Sequence, residues 1–75
     1  LAYNNGDLVQ FIINSGTSSS HPFYIKTTQG TGTGNQAAGV DGNGTTTVNW
    51  TIGSSGTFYY QCSVHNGMNN TITVS

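Results

Sequence analysis

Charged side chains are nearly absent from this sequence of 75 residues, which has one lysine, two aspartates, no arginine and no glutamate. Proteins that bind nucleic acids or anionic lipid headgroups need clusters of lysine and arginine, so neither is an expected partner. The longest apolar run, Leu8 to Ile13, is interrupted by Gln10. It is far shorter than the roughly 20 residues that cross a bilayer, and we expect no membrane insertion.

Cysteine and proline are also scarce, with one residue of each. A single cysteine excludes an internal disulfide, and a chain of this length buries only about 60% of its unfolded surface. Additional stabilisation would have to come from a metal, a second copy of the chain or flanking sequence. We expect residues 1–75 to form a single domain, either a monomer or part of a longer chain.

The abundant residues are threonine, asparagine, serine and glycine. This composition with so few charges resembles that of exported β-proteins. The sequence begins at Leu1 rather than at a methionine, which indicates a processed or excised domain. The expected location is therefore periplasmic or extracellular.

Apolar and polar residues alternate along several short runs, a pattern typical of half-buried β-strands. The predicted strands are "DLVQFIIN", "HPFYIKT", "TTTVNWTI", "GTFYYQC" and "NTITVS". Clusters of glycine, asparagine and serine at 14–20, 53–56 and 66–70 predict turns between them. With no helical stripe, the sequence predicts an all-β fold, a β-sandwich or barrel.

The alternation also predicts which side chains face the core. The residues expected to point inward are Val48, Trp50, Ile52, Phe58, Tyr60, Cys62, Ile72 and Val74. In "HPFYIKT" the residues His21, Phe23 and Ile25 share the inner face. Tyr24 and Lys26 share the opposite face, which is directed to solvent if Lys26 is exposed.

The segment from Gly30 to Gly44 is rich in glycine. A phosphate-binding loop would need a helix start and a lysine after the glycines, and neither follows. We expect a long irregular connection that carries a short strand at residues 37–40.

The only cysteine and the only methionine lie in one short loop, Cys62-x-x-His65-x-x-Met68. His21, at the start of another strand, is the only further candidate ligand. A thiolate, two imidazoles and a thioether are the ligands of a type 1 copper site, with three strong donors and one weak axial sulfur. We predict that one copper ion is bound by His21, Cys62, His65 and Met68.

The ligand loop "CSVHNGM" resembles the loops of amicyanins and plastocyanins, and "GTFYYQC" and "TITV" resemble the last two strands of the cupredoxins, the blue copper proteins. The resemblance covers most of the chain, although the first strand or two of typical members have no counterpart. It implies a Greek-key β-sandwich with copper at one end, and one-electron transfer rather than an enzymatic reaction. It also implies that His21 is the interior imidazole and that a redox protein partner docks near His65.

One position departs from the family pattern. Many cupredoxins have an asparagine after the first histidine, whose backbone N–H donates to the thiolate, whereas Pro22 has no N–H. Plastocyanin-like loops often carry a proline two residues after the cysteine, and here Val64 leaves that N–H free. We predict that the sulfur of Cys62 accepts a hydrogen bond from Val64 and none from residue 22.

Other functions are consistent with parts of the pattern. The domain could be a copper-binding structural module of a larger exported or particle-associated protein. A multicopper oxidase fragment would need further histidine pairs, and the chain has only two histidines. A hydrolytic zinc site needs an open coordination position, which four protein ligands do not leave. The domain could also be an adhesion module that binds no metal, in which case the match of these residues to a copper ligand set is accidental.

Overall fold

A computed structural model describes all 75 residues, from Leu1 to Ser75, as seven β-strands and one short helix. The strands are β1 (Ala2–Tyr3), β2 (Leu8–Ile12), β3 (Phe23–Lys26), β4 (Val40–Asp41), β5 (Thr47–Thr51), β6 (Gly56–Cys62) and β7 (Asn69–Val74), and helix α1 (Ser15–Ser20) joins β2 to β3. The predicted all-β fold is confirmed. The structure contains no helix with the length and apolar character needed to cross a membrane.

The strands form two sheets. One sheet has the order β1-β7-β6-β3, and the other has the order β2-β5-β4. All neighbouring strands are antiparallel except β1 and β7, which are parallel. The pairing of β3 with β6 places Phe23 opposite Cys62. The residues just before β3 therefore lie beside the loop that follows β6.

The two sheets share one hydrophobic core. Its buried residues are Ile25, Ala37, Val48, Trp50, Ile52, Ile72 and Val74. Phe58 and Tyr60 are partly buried and pack against them, as the alternation predicts. Trp50 also donates a hydrogen bond from Nε1 to the carbonyl of Ala38, at 3.2 Å. This bond ties the connection before β4 to the core.

Helix α1 replaces part of the turn predicted at residues 14–20, and the turn prediction is wrong for residues 15–20. Asn14 caps the helix, because its Oδ1 accepts hydrogen bonds from the N–H groups of Gly16 and Thr17, at 2.9 and 3.4 Å. Ser18 is the only buried residue of the helix, so no apolar stripe marks it in the sequence. At its end the N–H of His21 donates to Thr17 O at 2.6 Å.

Lys26 is buried, with an exposed fraction of 2%, so the condition for a solvent-directed face is not met at this residue. Its Nζ donates to the carbonyl oxygens of Gly30 and Gly32 at 2.7 and 3.2 Å. The glycine-rich connection therefore folds back over the face of the four-stranded sheet that lies away from the core. Alternation assigns a side chain to a face, but it does not show that a loop covers that face.

Two boundaries also differ from the prediction. The short strand expected at residues 37–40 is found as β4 at Val40–Asp41, while Gln36 forms an isolated bridge with Lys26. Strand β7 begins at Asn69, inside the turn predicted at 66–70. The turn that carries His65 is therefore shorter than the asparagine and glycine cluster indicates.

Candidate metal centre

Three different elements bring the candidate ligands together. His21 lies between α1 and β3, Cys62 is the last residue of β6, and His65 lies in the loop before β7. The pairing of Phe23 with Cys62 places the start of β3 beside the end of β6. The ligand atoms of the two histidines and the cysteine all lie within 4.8 Å of one another.

The distances between these atoms define a small triangle. The two imidazole Nδ1 atoms are 3.1 Å apart, and the sulfur of Cys62 lies 3.8 Å from His21 Nδ1 and 3.4 Å from His65 Nδ1. Three atoms at these separations lie on a circle of about 2.0 Å radius, close to the metal–imidazole bond length of about 2.0–2.1 Å and the metal–thiolate length of about 2.3 Å. One ion near the centre of this triangle can reach all three donors.

The donor set matches the chemistry of copper. Thiolate is a soft ligand that suits Cu(I), and imidazole binds both oxidation states as well as Zn(II). Because the three strong donors already surround one point, the residues fit a trigonal copper ion.

Met68 lies beside this group. It lines a pocket of about 140 Å³ together with His21 and Cys62, and its exposed fraction is 47%. Its backbone closes the loop, because its carbonyl accepts a hydrogen bond from Cys62 N–H at 2.8 Å and its N–H donates to His65 O at 3.1 Å. The structure thus places the predicted axial ligand in the lining of a pocket that two of the three strong donors, His21 and Cys62, also line.

The centre is closed on one side and open on the other. Cys62 is buried with an exposed fraction of 5%, His21 is half-buried and His65 is exposed. Phe23 and Tyr60 line the pocket as a stacked pair, with ring centroids 5.7 Å apart. Cys62 therefore shares the pocket with two aromatic rings, and His65 is the most exposed of the three clustered ligands.

The hydrogen bond predicted from Val64 to the sulfur of Cys62 is not formed, and this prediction is wrong. The groups within hydrogen-bonding distance of the sulfur are the two imidazole Nδ1 atoms. Pro22 contributes its carbonyl instead, which accepts a hydrogen bond from Ser63 N–H at 3.1 Å. This bond holds the first loop residue against the start of β3, and the side chain of Val64 is 59% exposed.

Gln61 contacts the site although no sequence pattern predicts it there. It is completely buried, and its Nε2 lies 2.9 Å from Cys62 O and 3.1 Å from His65 O. Its Oε1 accepts a hydrogen bond from Gly30 N–H at 3.0 Å. Alternation places Gln61 on the face away from the core, where a glutamine is normally exposed, so no sequence signal marks it.

No protein-family model, curated protein or solved structure matches this chain. The chemistry of the centre itself is therefore the indication of function in this chain. Of the predicted ligands, the structure brings His21, Cys62 and His65 into one group, and Met68 lines a pocket with two of them, His21 and Cys62.

Proposed function

We propose that this chain is a type 1 (blue) copper-binding domain that carries out one-electron transfer, and that it is a cupredoxin with the Greek-key connections of that family. The observation that supports the proposal is the triangle of one sulfur and two Nδ1 atoms, all within 4.8 Å of one another. A bound copper ion would supply the Cu(I)/Cu(II) couple.

The ligand charges suit both oxidation states. The thiolate of Cys62 contributes one negative charge and the imidazoles contribute none, so the site carries one net positive charge when oxidised and none when reduced. An apolar wall tolerates both of these small charges. Phe23 and Tyr60 form that wall in this chain.

The ligand loop supports rapid transfer because backbone hydrogen bonds hold it in shape. Cys62 N–H donates to Met68 O, and Met68 N–H donates to His65 O. A ligand set that is held by the protein moves little when the charge of the site changes, and a small rearrangement favours fast electron exchange.

His65 is the proposed contact with a redox protein partner, since it is the most exposed of the three clustered ligands. Asn66 and Gly67 beside it are exposed and uncharged. A neutral surface of this kind suits a brief, weak encounter. We propose an exported location, periplasmic or extracellular, for this exchange.

The test is the addition of Cu(II) to the apoprotein. We expect one copper ion per chain and the intense blue absorption of a thiolate–Cu(II) charge transfer. Cys62→Ser should abolish the absorption because the sulfur donor is lost. Ser63→Ala is the matched control and should retain it, since Ser63 bonds to Pro22 O and Gly32 N–H through its backbone, which alanine keeps. Wild-type protein that binds no copper, or binds it without colour, would overturn the proposal.

A second function, that of a copper-binding structural module in a larger protein, is favoured by the small size of the core. Only eleven of the 75 residues are buried. An ion bound by His21, Cys62 and His65 would join the start of β3 to the end of β6 and stabilise such a fold.

Melting temperatures and electron self-exchange distinguish the two functions. For an electron-transfer domain we expect fast self-exchange between the Cu(I) and Cu(II) forms. A structural module would instead show a large rise in Tm on binding copper together with slow exchange.

A further inference from the structure

The side chain of Gln61 connects three parts of the ligand loop. Its Nε2 lies 2.9 Å from Cys62 O, 3.1 Å from His65 O and 3.2 Å from Asn66 O. Its two hydrogens are therefore shared among three carbonyl acceptors. Two of these carbonyls belong to candidate metal ligands, so one buried amide fixes the backbone of both.

The oxygen of the same amide faces the glycine-rich connection. Gln61 Oε1 accepts a hydrogen bond from Gly30 N–H at 3.0 Å, and Gly32 N–H donates to Ser63 O at 2.8 Å. Residues 30–32, which we call the brace segment, therefore contact Gln61 at the end of β6 and Ser63 in the ligand loop. No side-chain polar atom buried in this region lacks a partner.

Lys26 holds the brace segment from its other side. Its Nζ donates to the carbonyl oxygens of Gly30, Thr31 and Gly32, at 2.7, 3.4 and 3.2 Å. Hydrogen bonds from a charged donor are about twice as strong as neutral ones. The buried side chain of Lys26 thus fixes the segment to which Gln61 is hydrogen-bonded.

We propose that Gln61 is a positioning residue that holds the ligand loop in its metal-binding shape before any metal is present, with Lys26 and the brace segment as its support. The inference rests on the proposed function, because it assigns Gln61 a role toward the copper ligands. Without the amide, the carbonyls of Cys62 and His65 lose a buried donor, and the backbone must turn them toward water. That rotation would displace the sulfur of Cys62 from the nearby imidazoles.

The test compares two variants with the same chemical change. Gln61→Met removes the amide at nearly constant volume. Gln10→Met is the matched control, because Gln10 is exposed on β2 and bonds only to Asn49. Neither residue is a candidate metal ligand.

The first measurement is amide hydrogen exchange of the apoprotein, which requires no metal. In Gln61→Met we expect the amides of Met68 and Gly32 to exchange about tenfold faster or more, given the loss of several buried hydrogen bonds. The amide of Ile52, which bonds to Asp7 O far along the chain, is the internal reference and should change much less. Gln10→Met should leave all three rates unchanged.

The second measurement concerns the copper-loaded protein. We expect Gln61→Met to shift both the charge-transfer band and the reduction potential and to release copper about tenfold faster or more. Gln10→Met should match the wild type. The contrary result is that Gln61→Met lowers the stability of the whole chain, the loop amides exchange at the same rate as the amide of Ile52, and the copper spectrum is unchanged. Gln61 would then be merely a buried structural residue, and the proposal would be overturned.

The wild-type protein gives a test that remains if Gln61→Met does not fold. The amide of Gly30 should be protected and should open together with that of Met68 as denaturant is added, since Gln61 links them. An unprotected Gly30 amide would overturn the inference. Failure of the wild type to bind copper would overturn the proposed function, while hydrogen exchange would still show whether Gln61 fixes the loop.

Discussion

The exposure of Met68 contrasts with the burial of Cys62, and this difference agrees with the weak axial role that we propose for Met68. The sulfur of Cys62 belongs to the compact triangle, whereas the side chain of Met68 is 47% exposed at the edge of the pocket. A long, weak axial bond suits a residue in such a position, since its main effect is on the reduction potential.

We predict that Met68→Leu keeps the blue colour and raises the reduction potential by about 60 mV or more, equal to about 1.4 kcal/mol for one electron. Cu(II) gains more from an additional donor than Cu(I), so loss of the thioether favours the reduced form. The substitution should lower the free energy of unfolding by less than about 1.5 kcal/mol. Voltammetry and absorption spectroscopy measure the outcome.

The control for this prediction is Val64→Ala, a change at another exposed residue of the same loop. Its potential should stay close to that of the wild type. Loss of colour in Met68→Leu would show that the methionine is a strong ligand, and an unchanged potential would show that it is not a ligand at all.

Residue type alone was sufficient to predict the group formed by His21, Cys62 and His65, because few side chains can bind a soft metal and the chain has so few of them. Gln61 and Lys26 could not be predicted. Their burial depends on a loop that folds over their face of the sheet, and alternation within a strand carries no information about distant loops. The wrong prediction for Val64 has a similar cause, since the direction of an N–H in a loop depends on its backbone path.

Helix α1 connects the sequence before β3 to the metal centre. In its last turn, Thr17 O accepts a hydrogen bond from the N–H of His21, and Thr17 also lines the pocket beside the ligands. The helix has only six residues and no apolar stripe, so most of its stability must come from its cap and its neighbours.

We predict that Asn14→Ala destabilises the apoprotein by about 1 kcal/mol, because the helix loses its capping oxygen. Copper affinity should fall by up to about fivefold. The reason is that part of the free energy lost with the cap is then needed to hold His21 in place when copper binds. Denaturant unfolding and a competition titration measure the two effects.

Asn5→Ala is the comparison for Asn14→Ala, since Asn5 bonds to Ser75 O through its backbone N–H, which alanine keeps. It should change stability by no more than about 0.5 kcal/mol. Equal effects of the two substitutions would show that the cap does not support His21.

The longer strands were predictable because each packs one face against the core, which imposes a period of two on the sequence, whereas the two residues of β1 are too few to show it. Strand β5 shows this clearly, with Val48 and Trp50 buried between exposed neighbours. The helix was not predictable, because a run of serine and threonine with one buried residue has neither a helical period nor strong helix formers.

Over the whole molecule, charge is almost absent from the surface. The only lysine is buried, and two aspartates are the other charged side chains. A partner therefore meets a nearly neutral protein, and long-range attraction contributes little to the encounter.

We predict that the rate of electron self-exchange in the copper-loaded protein changes by less than about threefold between ionic strengths of about 0.01 and 1 M, a range over which the screening length falls from about 30 to 3 Å. Stopped-flow or NMR line-broadening measurements provide the rate. A steep dependence on salt would contradict this prediction and would point to a charged docking surface.

Because Lys26 is buried, cleavage by trypsin can be used to measure local opening of the fold. With no arginine, these 75 residues offer trypsin a single cleavage site, and its side chain is enclosed by the carbonyls of residues 30–32. The protease can cut only after that enclosure has opened, so the rate of proteolysis reports the opening. The rate of this single cleavage then measures, without any label, how often the part of the fold that supports the ligand loop opens.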